Sequence, residues 1–511
     1  VKAISSTVRK EGIMETKQIK RPSMKVLSDE LLERIVEEAK DVLEETGVMV
    51  YNEEGLKILS DGGARTNPSE LKAYIPRNLV EAALKSVPCS VQIYDRKGSL
   101  AVNLEGDNCN FCSAGDAITI WDSTLNKVRQ PTVADQIKFY RLVDCLDSID
   151  AHGATLLFTD VPAKIRGCAQ VFLCLSYAIK PMFSDSNDEE EFQVIKDLLV
   201  TIRGSEKALR DKPLVWWGCC PSPPLKWSDL ICHALIRSAE HGIPALITPM
   251  PLTGVNAPVT MAGSLVQHTA EALSGVVINQ MTKPGAPVIW GGSPVVFDMR
   301  FNTVAMGAIE SAMMGVACTE IGKHLNLPTR SYIGCADAKC PDAQAGTETT
   351  IGTILSVLAG NNLIINAGML NAESAQSLEK LVIDNEINKM AKHLAKGITP
   401  RRERLAEELF GAGLYEGTHF LASQDTLKWC REEFCYPGPV ISRENQQAWI
   451  EKGATTAVQR AKLEVDRLLA TSEPELLKED TYKELVNIIK AYARRHGITE
   501  LPFADRVSYC G

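Results

Sequence analysis

Two hydrophobic periods alternate along the chain. "LSDELLERIVEEAKDVLEETGV" sets Leu31, Ile35, Val42 and Leu43 along one helical face, with Ser28 as a cap and Gly47 as the stop. Helix-like "NEEGLKILSDGGA" and "PRNLVEAALKSVP" follow, then β-prone pieces from Val91 to Trp121, a pattern that predicts an α+β extension. From about Ile149 the rhythm changes. Short β-prone runs recur at "AHGATLLF", "KPMFSD", "PLVWWGC", "IPALITPM", "APVIWGG", "PTRSYIGC" and "NLIINAG". Helix-like segments such as "DEEEFQVIKDLLVTI" and "DLICHALIRSAEHG" lie between them. Strand–helix alternation implies a parallel sheet, and this many units predicts an α/β TIM (β/α)8 barrel over a doubly wound sheet. Seven strands are visible in this way. The eighth is expected before Asp116, or to be irregular. After "NAGML" the pattern turns helical, with long amphipathic segments "SLEKLVIDNEINKMAKHLAKGI" and "QAWIEKGATTAVQRAKLEVDRLLA" flanking a Trp/Tyr/Pro-containing stretch from Leu414 to Arg443. The expected organisation is an N-terminal α+β cap with a possible first barrel strand over 1–148, the main barrel over 149–375 and a C-terminal helical extension over 376–511.

Composition narrows the class. The 511 residues are 45% hydrophobic and 23% charged, which is ample material for a globular core. A net charge of -9 and the lack of a dense Lys/Arg run argue against a nucleic-acid surface. No apolar run reaches membrane-spanning length, and the polar start "VKAISSTVRKEGIMETK" lacks the apolar core of a secretory signal. The 15 cysteines are odd in number and often sit inside apolar runs, as reduced thiols of a cytoplasmic protein would.

In a barrel, chemistry gathers where strands end and βα loops begin. The stretch "YIGCADAKCPDAQAGTETTIG" lies at such an end and concentrates Asp337, Lys339, Cys340, Asp342, Gln344 and Glu348. Asp337 and Glu348 are its candidate catalytic groups. The competing interpretation is a solvated loop whose Asp caps the next helix. Trp216, Trp217, Trp290 and Tyr332 cluster at strand ends and could form an aromatic box for a quaternary ammonium. Alternation allows only one of Trp216 and Trp217 into the mouth, and barrel–helix packing competes for each ring. Other motifs carry less. "DAHGAT" nearly matches the cobalt-ligating Asp-x-His-x-x-Gly, but its sixth residue is Thr155, so His152 reads as structural. "CNFC" is a lone pair without a second pair or a nearby His, and His268-x-x-Glu271 reads as a surface or capping pair, so no metal is expected. No dinucleotide fingerprint follows a strand into a helix.

Several segments together resemble the trimethylamine methyltransferase family: "VLEETGVMVYNEEGLKILSDGGARTN", "IPRNLVEAALKSVP", "RQPTVADQIKFYRLVDCLDSID", "DAKCPDAQAGTETTIGTILSVLAGNNLIINAGML" and "CYPGPVISRENQQAWIEKGA". The similarity runs from about Leu27 to Ala470. It implies a TIM barrel that moves a methyl group from a methylated amine to the Co(I) centre of a separate corrinoid (cobalamin-type) protein, with no cofactor held permanently by the chain itself. Founding members carry pyrrolysine. This chain has only standard residues, so it resembles the non-pyrrolysine branch that demethylates quaternary amines such as glycine betaine, proline betaine or carnitine. Lys339 and Cys340 lie in the loop region where the missing residue would be sought. Asp425-Thr426 departs from the His-Thr expected there. A quaternary nitrogen leaves as a neutral tertiary amine, whereas neutral trimethylamine would need protonation or covalent trapping first. The resemblance therefore implies a permanently cationic substrate, glycine betaine or a similar betaine, with Lys339, Gln344 or backbone N–H groups at the following helix start gripping its carboxylate, and Asp337 and Glu348 holding the cation or positioning those anchors. It also implies a cognate corrinoid protein as partner, and a homo-oligomer is the expected assembly. The other functions in view are demethylation of carnitine, proline betaine or trimethylamine, a zinc-dependent methyltransferase, and a non-catalytic amine-binding subunit.

Overall fold

Eight short parallel segments pair in a closed ring in the computed structural model, which describes residues 21–504 apart from 114, 293 and 411–419. They are β1 (Asn110–Ser113), β2 (the bridge-paired Ala151 and His152), β3 (Met182–Ser184), β4 (Val215–Cys219), β5 (Ala245–Ile247), β6 (Val288–Trp290), β7 (Arg330–Ser331) and β8 (Leu363–Ala367). Single bridges join Cys112 to Ala151, His152 to Met182 and Trp290 to Thr329, while ladders join the rest and β8 returns to β1. Each strand feeds a barrel helix: α1 (Val133–Asp144), α2 (Arg166–Tyr177), α3 (Glu189–Arg203, followed by a short helix Glu206–Asp211), α4 (Asp229–His241), α5 (Met261–Thr282), α6 (Ile309–His324), α7 (Ala343–Ala359) and α8 (Leu378–Ala395). The fold is the TIM barrel that the strand–helix rhythm predicts.

The strand missing from the sequence pattern is β1, before Asp116. Its signal is weak because Phe111 and Cys112 are its only large apolar residues, and polar Asn110 and Ser113 flank them. α8 belongs to the barrel, so the barrel runs past the expected boundary at 375. The second long C-terminal segment is two helices, Gln446–Glu451 and Ala457–Thr471. Gly453 and Ala454 adopt left-handed backbone there, and Thr456 restarts the helix through a capping box with Gln459. The polar stretch 1–20 and the start of the 414–443 segment lie outside the described residues.

Alternation sorts each strand into an outward and an inward set. Val215, Trp217 and Cys219 of β4 pack in the barrel–helix cluster, whereas Trp216 joins Leu246 and Ile289 in the interior. A hairpin of Val91–Tyr94 and Leu100–Leu104 closes the base, its Ile93, Val102 and Leu104 packing in the same cluster as that interior layer. Tyr94 N donates to Pro213 O and Arg96 N to Ile179 O, pinning the hairpin beside the starts of β4 and β3. The barrel therefore opens at its C-terminal end.

Two small sheets grow from the loops around that opening. Leu252–Thr253 pairs with Val295–Asp298, which pairs with Thr303–Ala305. Ala375–Gln376 pairs with both Met369–Leu370 and Thr119–Asp122. The N-terminal helices Asp29–Asp41 and Arg77–Ser86 pack on α5, and the C-terminal helices Ala457–Thr471 and Glu479–Arg495 pack on α8 and α3. Among the described residues no helix is long and apolar enough to cross a membrane, and every described cysteine is free.

Candidate active site

Above the buried Trp216–Leu246–Ile289 layer, the inward positions near the strand ends keep exposed surface although protein encloses them. Phe183, Asp185, Met250, Tyr332, Asp116 and Glu373 are half-buried, and Cys220 is exposed. Side chains that are enclosed yet accessible line a hollow, and this one fills the barrel mouth. Glycines near the strand ends let its lining pack closely: a Cβ at Gly218 would meet the Phe183 ring at 2.5 Å, and one at Gly291 the Leu246 side chain at 2.5 Å.

Three carboxylates ring the hollow. Burial lifts Asp116 to about 6. Burial, then the neighbouring charges of Asp116 and Glu191, push Asp185 well above the usual carboxylate range. Burial lifts Glu373 to about 7 against the pull of Arg330, and Asp116 adds to the rise. Like charges confined together resist ionising together, so this cluster is poised to accept a cation.

Backbone strain marks two of these positions. Asp116 sits at φ 61°, and Asn371, Ala372 and Glu373 follow one another at 52°, 48° and 68°. Left-handed non-glycine residues cost about 1–3 kcal/mol each and persist where their surroundings impose them. The surroundings here are visible. Asn371 N donates to Ala338 O at 2.9 Å and Ala372 N to Ala336 O at 3.1 Å. From the other side, Thr119 N and Oγ1 donate to Ser374 O at 3.1 and 2.8 Å.

The loop after β7 thus supplies the carbonyls that hold the Glu373 turn. Its own polar side chains are committed elsewhere. Asp337 Oδ1 accepts from Met306 N at 2.9 Å, and burial, then the Glu348 charge, raise its carboxyl. Glu348 accepts from Asp337 N and Gln344 Nε2, both at 2.7 Å. Lys339 is exposed and turns back to the Asp337 carbonyl at 2.7 Å. Asp342 caps α7 by accepting from Ala345 N at 3.0 Å. The geometry gives this stretch the capping and lacing role that competed with the catalytic one.

The aromatic set also differs from the box of four rings. Trp217 packs tilted against Phe192 of α3 with centroids 4.3 Å apart, and Trp290 Nε1 donates to Cys318 O of α6 at 3.1 Å. Both fill the barrel–helix layer, as alternation requires of their positions. Trp216 does point inward, but it is fully buried beneath the hollow, edge-on to Phe183 at 6.4 Å. Of the four, Tyr332 faces the hollow, joined by Phe183. The Arg330 guanidinium lies 3.4 Å over the Tyr332 ring.

The remaining motifs resolve as structure. His152 is buried behind β2, 3.0 Å from Asp144 Oδ1. Cys112 faces the barrel interior, whereas the Cys109 thiol meets Arg21 at the base. His268 and Glu271 are buried rather than at the surface: His268 packs edge-on to Trp290 at 5.8 Å, and Glu271 accepts from Leu225 N at 2.8 Å. Among the described residues no group of three or more His, Cys, Asp or Glu side chains could hold a metal ion.

Phe183, Asp116, Asp185, Arg330 and Glu373 were not singled out by sequence. Only the Asp185 position, as the end of a strand, carried a signal. The two placements of tryptophan separate by experiment. Trp217→Ala should lower stability by about 3–5 kcal/mol and leave tetramethylammonium affinity unchanged in calorimetry. Phe183→Leu should weaken that affinity roughly 2- to 30-fold at near-native stability.

The barrel mouth, where carboxylates and aromatic rings gather around one opening, is the candidate active site of this chain. The trimethylamine methyltransferase (MTTB) family profile matches residues 2–497, so the chain belongs to that family. It is 30% identical to the trimethylamine methyltransferase MttB of Desulfitobacterium hafniense, over 92% of this chain and 94% of that one. It is 29% identical to MttB of Methanosarcina barkeri, covering 88% and 91%. The glycine betaine methyltransferase of Desulfitobacterium hafniense is 27% identical, covering 93% and 98%. The crystal structure of the Methanosarcina barkeri monomethylamine methyltransferase MtmB overlays with a TM-score of 0.49 at 10% identity, over 89% of this chain and 90% of that one.

Proposed function

We propose that this methyltransferase removes a methyl group from a quaternary amine of the betaine type in the barrel mouth, and that the acceptor is the Co(I) corrinoid of a partner protein. The observation that carries this reading is the ring of Asp116, Asp185 and Glu373 over Phe183 and Tyr332 at a single opening. Aromatic faces attract a quaternary ammonium at about 0.5–2 kcal/mol per ring, and ionised carboxylates add a longer-range pull. The likeness to a glycine betaine methyltransferase supports a betaine among the possible amines.

The acceptor, when present, would supply a strongly nucleophilic cobalt, so this chain needs no nucleophile of its own. His152 is committed to Asp144 behind the barrel wall. What the chain contributes is placement. Holding the reacting carbon in line can be worth roughly 7–11 kcal/mol. The carboxylates hold the head group at the opening, where an acceptor arriving from outside can reach a methyl. The cationic charge fades as the carbon–nitrogen bond breaks, so these groups serve binding and orientation more than the chemical step.

The test mixes the purified protein with a Co(I) corrinoid protein and a panel of glycine betaine, proline betaine, carnitine, choline, tetramethylammonium and trimethylamine, and follows the cobalt absorption spectrum. Rapid loss of the Co(I) spectrum with at least one quaternary amine is expected. No change with any member, alongside measurable binding of the amine, would leave only an amine-binding subunit. Transfer from trimethylamine alone would favour a tertiary-amine enzyme, in which Glu373, half-protonated near neutrality, keeps the amine charged.

A further inference from the structure

We infer that Arg330 is the anion-binding group of the mouth, so that the site takes a quaternary ammonium bearing a carboxylate, with the carboxylate held deep and the N-methyl groups held at the opening. This inference rests on the proposed use of the mouth as the amine site and assigns its specificity to one side chain.

Three observations carry it. First, Arg330 faces the barrel axis: its neighbour Ser331 turns outward to Ser356 of α7, 3.5 Å away, and alternation sends Arg330 the other way. The charge of Arg330 is felt by Cys112 of β1, Cys220 beyond β4 and Glu373 beyond β8, which places it among groups from three other strands. Second, Arg330 is 2% exposed, yet its Nε and Nη1 have no hydrogen-bond partner among the described residues. A buried guanidinium with idle donors is costly unless something pairs with it, and its planar fork matches a carboxylate. Third, the poles are ordered in depth. Arg330 rises from two residues before Tyr332 on the same inward face to lay its guanidinium over the Tyr332 ring, where it is almost fully enclosed. Asp116, Asp185 and Glu373 come from residues beyond the strand ends and keep more exposed surface.

A zwitterion fits that order one way round. The carboxylate descends to Arg330, the ammonium stays among the acids, and the methyl groups point out of the mouth toward an incoming acceptor. The reverse orientation would bury the methyl groups and set a carboxylate against three acids. An alcohol or a bare tetraalkylammonium would leave Nε and Nη1 of the guanidinium idle.

Isothermal titration calorimetry at pH 8 with glycine betaine, choline and tetramethylammonium tests this on the wild-type chain, on Arg330→Gln and on Arg330→Lys. Wild type should prefer glycine betaine to choline by roughly 10- to 150-fold, the range of a charge-assisted hydrogen-bonded contact. Arg330→Gln should abolish that preference and bind tetramethylammonium as well as before or better, because one repelling cation is gone. Arg330→Lys should retain part of the preference. Equal affinity of the wild type for betaine and choline would overturn the assignment even if neither variant folds. So would an equal loss of both ligands in Arg330→Gln. Carboxylate-selective binding without any methyl transfer would instead sink the enzymatic reading and leave the subsite standing. No binding of any of the three would sink both.

Discussion

Glu373→Gln should weaken binding of a quaternary amine about 100-fold at pH 8 and leave kcat within a few-fold. A unit charge about 4 Å from an opposite one is worth about 4 kcal/mol at the effective dielectric of a partly wet site, and partial screening by the two remaining acids reduces this. The split between binding and turnover follows from the chemistry. The charge Glu373 stabilises is present in the bound amine and fading in the transition state, so its removal costs the former more. The pH dependence gives a second readout. With Asp116 near 6 and Glu373 near 7, the ligand-free mouth holds protons that a permanent cation must expel. Affinity should therefore climb from pH 5 to pH 7.5, with proton release on binding at pH 6.5, and any further rise belongs to Asp185, held above the usual range by burial and by the charges of Asp116 and Glu191. In Glu373→Gln the rise near 7 should vanish while the rise near 6 remains. The sign for stability is opposite in the empty protein. Folded-state values raised above the unfolded ones mean the folded state binds more protons between about 4 and 7, so these two groups make the empty chain less stable as pH rises through that window. The ligand-induced gain in melting temperature should consequently be larger at pH 8 than at pH 5.5. A dissociation constant that does not move between pH 5 and 8 would remove Glu373 and Asp116 from the site.

The barrel was legible because its strands are buried on both faces and its helices alternate with them, and period and spacing reveal such a pattern without side-chain detail. β1 escaped because it contains little apolar sequence, Phe111 and Cys112 standing between polar Asn110 and Ser113. The site was legible only as an address. The loop after β7 is where the polar residues crowd, and it does border the mouth. Yet the loop's backbone carbonyls at Ala336 and Ala338 hold the Glu373 turn, while Asp337 and Glu348 tie the loop to its neighbours. Density of functional groups along a chain does not distinguish groups aimed at a ligand from groups aimed at one another. Asp116 and Glu373 stand far apart in sequence, each a non-glycine residue held in left-handed backbone. Their meeting across the β8–β1 seam is a product of barrel closure. The tryptophans taught the same lesson in reverse, since strand alternation had already limited Trp216 and Trp217 to one inward ring, and that ring went to the floor.

Behind the Glu373 turn lies the change expected to cost most stability. Lys380→Met should destabilise the protein by about 3–5 kcal/mol, the penalty for stranding one half of a buried ion pair. Lys380 is 1% and Asp384 0% exposed. The Lys380 ammonium donates to both Asp384 oxygens, at 2.8 and 2.7 Å, and to Thr349 Oγ1 at 2.8 Å, joining α7 to α8. Methionine keeps the length of the side chain, so the loss isolates charge from volume. Replacing both partners, Lys380→Met with Asp384→Leu, should recover much of the deficit, because apolar packing can substitute for a buried pair. The recovery should stop short of wild type. Asp384 also accepts from Gly368 N at 2.8 Å, and Gly368 turns the chain out of β8 at φ 87° toward the Glu373 turn. In the double variant that N–H loses its acceptor, the turn loosens and Glu373 is held less firmly at the mouth. Urea unfolding should therefore show partial rescue while calorimetry shows amine affinity still reduced several-fold, although Lys380 and Asp384 are themselves fully buried. Lys380→Met unfolding at wild-type urea concentrations would refute the buried-pair argument. Full affinity in the double variant would break the link from the α7–α8 pair through Gly368 to Glu373.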